Sequence, residues 1–156
     1  MKTTRTSETP AAGALDLWIA LVRVRGVVGA RLAQRLDDGL GMFPEEVELL
    51  MRLDAAPERR LRMADASSAL RMSKSGVTRL VDKLAERGLV ERAACPKDRR
   101  VVYCGLTEAG RDAVAEAAPL LAAGAEEHLS AHLTEREAAA MLKGLRLILE
   151  AEGAGA

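Results

Sequence analysis

The stretch SKSGVTRLVDKLAERGLVERAACPKDRR, Ser73 to Arg100, restricts the fold more than any other part of the chain. Val77, Leu80, Val81 and Leu84 recur at helical spacing, so a helix running to about Arg87 buries one face and turns Lys74, Ser75, Thr78, Arg79, Asp82 and Lys83 outward. Ser73 suits the N-cap, where its hydroxyl can accept from an amide the first turn leaves unpaired, and Gly88 suits the stop. Residues 89–95 and 101–106 then read as two strands rich in Val, Leu, Tyr and Cys, joined by PKDRR. Upstream, Leu61, Met63, Ala66, Ala69 and Leu70 outline a short third helix, with a turn at Arg71 and Met72. Short helix, tight turn, longer helix and two-stranded hairpin, in that order, predict a winged helix-turn-helix: mainly α with a small β-wing.

The flanks are helical too. Residues 1–13 are polar, contain Pro10 and Gly13, and read as a flexible lead-in. Leu15, Trp18, Ile19, Val22, Leu32 and Leu36 predict a long first helix over Ala14–Asp37, in which Gly26 and Gly29 would permit close approach of another helix. Pro44 opens a short second helix carrying Val47, Leu49, Leu50 and Leu53, and DAAPERR is a connector. Thr107 caps a helix through Val114, Ala118, Leu121 and Ala125, in which Pro119 predicts a kink. Thr134 and Glu137 form the capping box of a last helix with Ala138, Met141, Leu142, Leu145 and Leu149 on one face. Such an apolar stripe seeks a partner: the first helix, a second copy, or both.

Charge says what the cationic stretch is for. Residues 52–111 hold 14 Lys and Arg against 8 Asp and Glu, whereas the remainder holds 9 against 15, a segregation hidden by a net charge of zero. A basic half on an acidic body points to a polyanionic partner. One Trp, one Tyr and one Phe are too few for the stacking platforms of single-strand or RNA-sheet readers. A helix, in contrast, fits the major groove of duplex DNA, where Arg and Lys donate to guanine edges. Its N-terminal end would enter first, with Ser73, Lys74 and Ser75 adding donors beside free amides that suit phosphate. Lys97, Arg99 and Arg100 of the hairpin loop can reach along the backbone or into a narrow minor groove, and Asp98 is explained if its carboxylate holds a guanidinium in place. The absence of a signal-peptide run, and apolar segments broken by charge every few residues, predict a soluble cytoplasmic protein with no membrane partner.

The stretch DRRVVYCGLTEAG, with Asp98, Arg100, Leu106, Thr107 and Gly110, resembles the D-x-R-x5-L-T-x2-G pattern of the MarR family of transcription regulators. MSKSGVTRLVDKLAERGLVER is similar to that family's recognition helix and first wing strand, and the order of helices fits from about residue 14 onward. The resemblance implies a homodimer whose first and last two helices interlock, and two winged modules reading a palindromic operator, probing successive major grooves. It also implies Arg100 in the minor groove with Asp98 as its anchor. On this basis the chain divides into flexible residues 1–13, one domain over 14–152, and flexible residues 153–156. Within the domain, 14–51 and 107–152 are dimerisation helices and 52–106 the DNA-binding module.

The resemblance further suggests a small aromatic or lipophilic effector in a cleft between the dimer helices and the module. Trp18 on the first helix and Arg62 and Asp65 on the third could line it, a pattern similar to the Trp and Asp of urate-responsive relatives, although a core Trp and a surface ion pair explain the same residues. Cys95 and Cys104 on the wing strands could act as a redox pair if nearby cations favour their thiolates; peroxide-sensing relatives carry their cysteine near the first helix, where this chain has none. His128 and His132 stand at i and i+4 without a metal-binding motif around them, and there is no nucleotide-binding glycine loop or nucleophile elbow, so neither an enzyme nor a cofactor or metal is expected. The competing class is a winged-helix protein-interaction module that touches no DNA.

Overall fold

The computed structural model describes residues 13–95, 98 and 100–153 of the chain. Its elements are α1 (Ala14–Leu40), α2 (Pro44–Ala55), β1 (Arg60–Arg62), α3 (Met63–Leu70), α4 (Lys74–Glu86), β2 (Val90–Ala94), β3 (Val102–Leu106), α5 (Glu108–His128) and α6 (Glu135–Ala151), with 3-10 turns at Pro57–Arg59 and Ser130–His132.

The core forms around α2 and α4. Val47, Leu49, Leu50 and Leu53 of α2 and Val77, Val81 and Leu84 of α4 are buried with Leu36, Met42, Ala66, Val90, Cys104 and Ala117. α2 is buried around most of its circumference because α1, α3, α5 and the sheet all contact it, which is why its apolar residues crowd more closely than one stripe requires. Leu80, expected inside with its neighbours, is half-buried at the edge of this cluster. α4 starts as predicted: the Ser73 hydroxyl accepts from the Gly76 amide at 3.1 Å. At its other end Gly88 takes φ +71, and the Leu89 amide closes back on the Leu84 carbonyl at 2.9 Å. The α3–α4 turn is locked by the Ser67 hydroxyl, which donates to the Met72 carbonyl at 2.7 Å, while the Met72 amide donates to the Ser67 carbonyl at 3.1 Å.

The wing has three strands instead of the expected two. The antiparallel sheet runs β1-β3-β2, with Leu61 and Arg92 opposite Cys104 on either side of β3. Leu61 therefore belongs to a strand and not to the third helix, which starts at Met63 with Arg62 as its N-cap residue. A three-residue Arg-Leu-Arg strand carries no periodicity of its own; the ladder with β3 creates it.

The flanking helices depart from expectation in detail. α5 remains one helix through Pro119, and its buried positions are Gly110, Ala117 and Gly124, while the expected Ala118 is exposed. The close approach of α1 is made at Gly124, where a methyl would stand 2.5 Å from Leu32 Cδ2; Gly26 and Gly29, the predicted crossing points, face open space. Thr134 and Glu137 form the capping box of α6, with the Thr134 amide donating to Glu137 Oε2 at 2.9 Å. α6 buries no residue against its own chain. Leu142, Leu147, Ile148 and Leu149 on α6, and Leu15, Trp18, Val22 and Val27 on α1, remain about half exposed or more. No helix among the described residues is long and apolar enough to cross a membrane.

Candidate nucleic-acid interface

The N-terminal half of α4 stands free of the core. Lys74, Ser75, Thr78 and Arg79 are exposed, with Val77 beneath them fully buried. Ser73 is committed to the cap, and its hydroxyl lies 3.1 Å from that of Ser75, so the first turn offers a linked hydroxyl pair beside the helix N-terminus. The Thr78 hydroxyl donates back to the Lys74 carbonyl at 2.8 Å, which fixes its rotamer and leaves its methyl and oxygen lone pairs outward.

Lys74 and Thr78 share a concavity of about 490 Å³ with Arg62, Asp65, Arg92, Arg100, Val101 and Val102. The start of α4, the start of α3 and the wing thus meet around four cations and one carboxylate. Arg92 joins helix to wing: one guanidinium nitrogen lies 2.8 Å from Asp82 Oδ1 and donates to the Thr78 carbonyl at 3.1 Å. Sequence reasoning did not single out Arg92. The available signal was Asp82, a carboxylate on an otherwise cationic outer face that required a partner. Tyr103 on β3 lies opposite Arg62 in the ladder and raises its pKa, strengthening its hold on its proton, while Arg60 stacks over the Tyr103 ring at 5.0 Å.

The remaining predicted residues divide. Asp98 Oδ1 accepts from the Arg100 amide at 2.9 Å, and the Val101 amide donates to the Asp98 carbonyl at 3.0 Å, so the carboxylate organises the main chain that carries Arg100, where a hold on a guanidinium had been expected. Lys97 and Arg99 lie outside the described residues. Arg79 and Lys83 border a different hollow, with Phe43, Glu46 and Leu80, on the α2 flank of the helix. Lys83 is exposed, as expected, with 47% of its side chain accessible, but unlike Lys74 its ammonium is paired, 2.8 Å from buried Glu46 and 4.6 Å from the centre of the Phe43 ring.

Trp18 is 65% exposed on α1 and does not line the concavity that contains Arg62 and Asp65, so the single chain does not bring the three together. The two thiols are also apart. Cys104 faces Arg92 across the ladder, whereas the Cys95 amide pairs with Val101. Three residues of strand separate these positions, about 10 Å, beyond the roughly 7 Å reach of a disulfide. Burial pushes the Cys104 thiol up to about 11, against the smaller opposing pull of Arg92, so the cations expected to favour its thiolate do not prevail. Among the described residues no group of three His, Cys, Asp or Glu side chains could hold a metal.

The pattern Leu106-Thr107-x2-Gly110 proves to be a fastening. The Thr107 hydroxyl donates to the Gly88 carbonyl at 2.7 Å and accepts from the Gly110 amide at 3.0 Å, tying the end of α4, the wing and the start of α5. A helix-turn-helix followed by a braced antiparallel wing defines a winged helix-turn-helix protein.

The MarR family's sequence profile matches residues 40–101. The transcriptional repressor MprA of Escherichia coli K12 is 33% identical over 70 residues, 45% of this chain and 40% of the repressor, so the match spans two fifths of that relative's length. AbsC, a MarR family transcriptional regulator from Streptomyces coelicolor, superposes with a TM-score of 0.77 at 26% identity, covering 91% of this chain and 97% of AbsC. Sco3205, another MarR family regulator from that organism, solved in complex with DNA, superposes with a TM-score of 0.78 at 24% identity over 93% of this chain and 92% of its own, which speaks for the fold. The chain is thus similar to MarR family regulators, in sequence over residues 40–101 and in fold over most of its length.

Proposed function

We propose that the chain is a transcription regulator, a repressor, that binds duplex DNA as a homodimer on a palindromic operator, performs no chemistry, and is released by a small aromatic or lipophilic effector. The observation that carries this reading is the shared concavity: Lys74 and Thr78 of α4 and Arg100 of the wing open onto one surface, braced by Arg92. Ser73, Lys74 and Ser75 meet phosphate at the helix N-terminus, Thr78 and Arg79 meet base edges, and Arg100 enters the minor groove on the turn that Asp98 organises. Lys97 and Arg99 follow the backbone beside it.

The uncovered apolar faces of α1 and α6 support the second copy, since water is a poor neighbour for Trp18, Leu147 and Ile148 at 65%, 56% and 56% exposure. Two modules then read half-sites about one helical turn, roughly 10 base pairs, apart. MprA being a repressor and Sco3205 having been solved on DNA support the direction and the partner. Arg62 and Asp65, facing Lys74 and Arg100 across the concavity, are the effector's contacts in this reading, and Trp18 belongs with the dimer face.

Duplex fragments captured by the purified protein should, on sequencing, share a palindrome of that spacing. Titration of the captured duplex under light scattering should give two chains per site. If Arg79→Ala and Arg100→Ala both leave duplex binding intact, the protein-interaction module is the better reading.

A further inference from the structure

One buried carboxylate has no part in this reading. Glu46 on α2 is 1% exposed, the one buried charged residue among the described residues. Its Oε2 accepts from the Phe43 amide at 2.7 Å, the service a glutamate in the first turn performs for its own helix start. Its Oε1 serves α4 instead: Lys83 Nζ lies 2.8 Å away and Arg87 Nη1 3.6 Å away, at ion-pair distance though outside hydrogen-bond geometry. A carboxylate so enclosed is tolerable only while cations face it. The nearer of the two is also held against the Phe43 ring. At about 100° of rotation per residue, Lys83 lies roughly opposite Lys74 around the helix.

We propose that Glu46 is a positioning residue for DNA recognition: it docks the C-terminal half of α4 on α2 and keeps Lys83 and Arg87 off the phosphates, so that α4 presents cationic charge to a duplex from its N-terminal half. The inference rests on the DNA-binding reading above. A cation committed to a buried carboxylate releases no counterion from DNA and adds nothing to the salt dependence of binding. Freed, each would raise affinity for any duplex about fivefold near 0.15 M salt, taking a slope of about 0.9 per phosphate contact. Restraint of this kind lowers sequence-independent binding without touching a base contact.

The test uses the full chain, the captured operator and a shuffled duplex of the same length, titrated across salt. Glu46→Gln keeps an acceptor for Phe43 and removes the charge. It should steepen the salt slope on the shuffled duplex by one to two units of about 0.9 each and shrink the operator's advantage several-fold. Adding Lys83→Met to Glu46→Gln should return about one unit of slope. Lys83→Met alone, which leaves Arg87 facing Glu46 and so folds, should hold the wild-type slope. A slope shallower by about one unit in Lys83→Met, or an unchanged slope and ratio in a folded Glu46→Gln, overturns the proposal. Those results with normal wild-type operator binding leave the DNA-binding reading intact; wild-type protein that binds no duplex overturns both.

Discussion

Gly110→Ala should be among the most damaging single-methyl additions in this protein. Gly110 is buried in the first turn of α5, and a methyl there would overlap the Leu89 carbonyl and stand 2.6 Å from Leu106 Cδ1, where carbon atoms rest at about 3.5–4.0 Å. Relief requires α5 or the start of β2 to move by about an ångström, and the atoms in the way are those of the fastening. The Leu89 carbonyl accepts from the Thr107 amide at 3.2 Å, and the Thr107 hydroxyl bonds Gly88 and Gly110 at 2.7 and 3.0 Å. Overpacking of about 1–3 kcal/mol, with partial loss of three bonds worth about 1 kcal/mol each, exceeds the helix-propensity gain of about 1 kcal/mol from Gly to Ala. The net loss is about 3 kcal/mol, a fall in Tm of about 6–12 °C for a chain of this length. Urea unfolding followed by circular dichroism, at one fixed protein concentration because the proposed association would contribute to stability, should show a lower midpoint with an unchanged m value. A loss below about 1 kcal/mol would refute the reasoning, since ordinary surface substitutions fall well under that.

Arg100→Ala should weaken binding to all duplexes and make the salt slope shallower by about one unit, whereas Thr78→Ala or Arg79→Ala should alter sequence preference by about 1–3 kcal/mol per base contact; identical behaviour of the three in anisotropy titrations would contradict these roles. An Asp82→Asn, Arg92→Met double-mutant cycle should give a coupling of about 0.2–1 kcal/mol that shrinks with added salt, because both side chains are partly exposed, at 52% and 36%. Cys104, raised by burial from 9.0 to about 11, stays protonated in the folded state while the unfolded state ionises. Wild-type stability should therefore be unaffected by this thiol below pH 9 and decline relative to Cys104→Ala as pH rises from 9 toward 11, measured by urea midpoints at each pH; parallel profiles would show the burial term to be absent.

Much of the fold was legible because its signals are local. The cap at Ser73, the Val77–Leu84 spacing, the glycine stop and the Thr134–Glu137 box each act within one or two turns of chain, and each has the predicted form. The LT-x2-G pattern was visible too, but only the hydrogen bonds of Thr107 to Gly88 and Gly110 explain why those residue types stand there. β1 was not legible, since Arg-Leu-Arg becomes a strand only by pairing with residues some forty positions later. The Arg100 amide as a partner of Asp98 was not legible for a related reason: a short carboxylate beside several cations and several amides does not announce which of them it will reach.

By itself, the sequence determined that a cationic helix, properly capped, would be presented beside a short wing on an otherwise acidic helical body. Tertiary structure alone decided which of those charges are available. Lys74 and Lys83 are equally basic and both outward by periodicity, on opposite flanks of the helix, yet one faces an open groove and the other a buried glutamate from α2. Periodicity fixes the angle of a side chain about its own helix axis; what waits at that angle depends on contacts between distant segments, and in this protein those contacts separate the charges that can meet a partner from those that hold the helix in place.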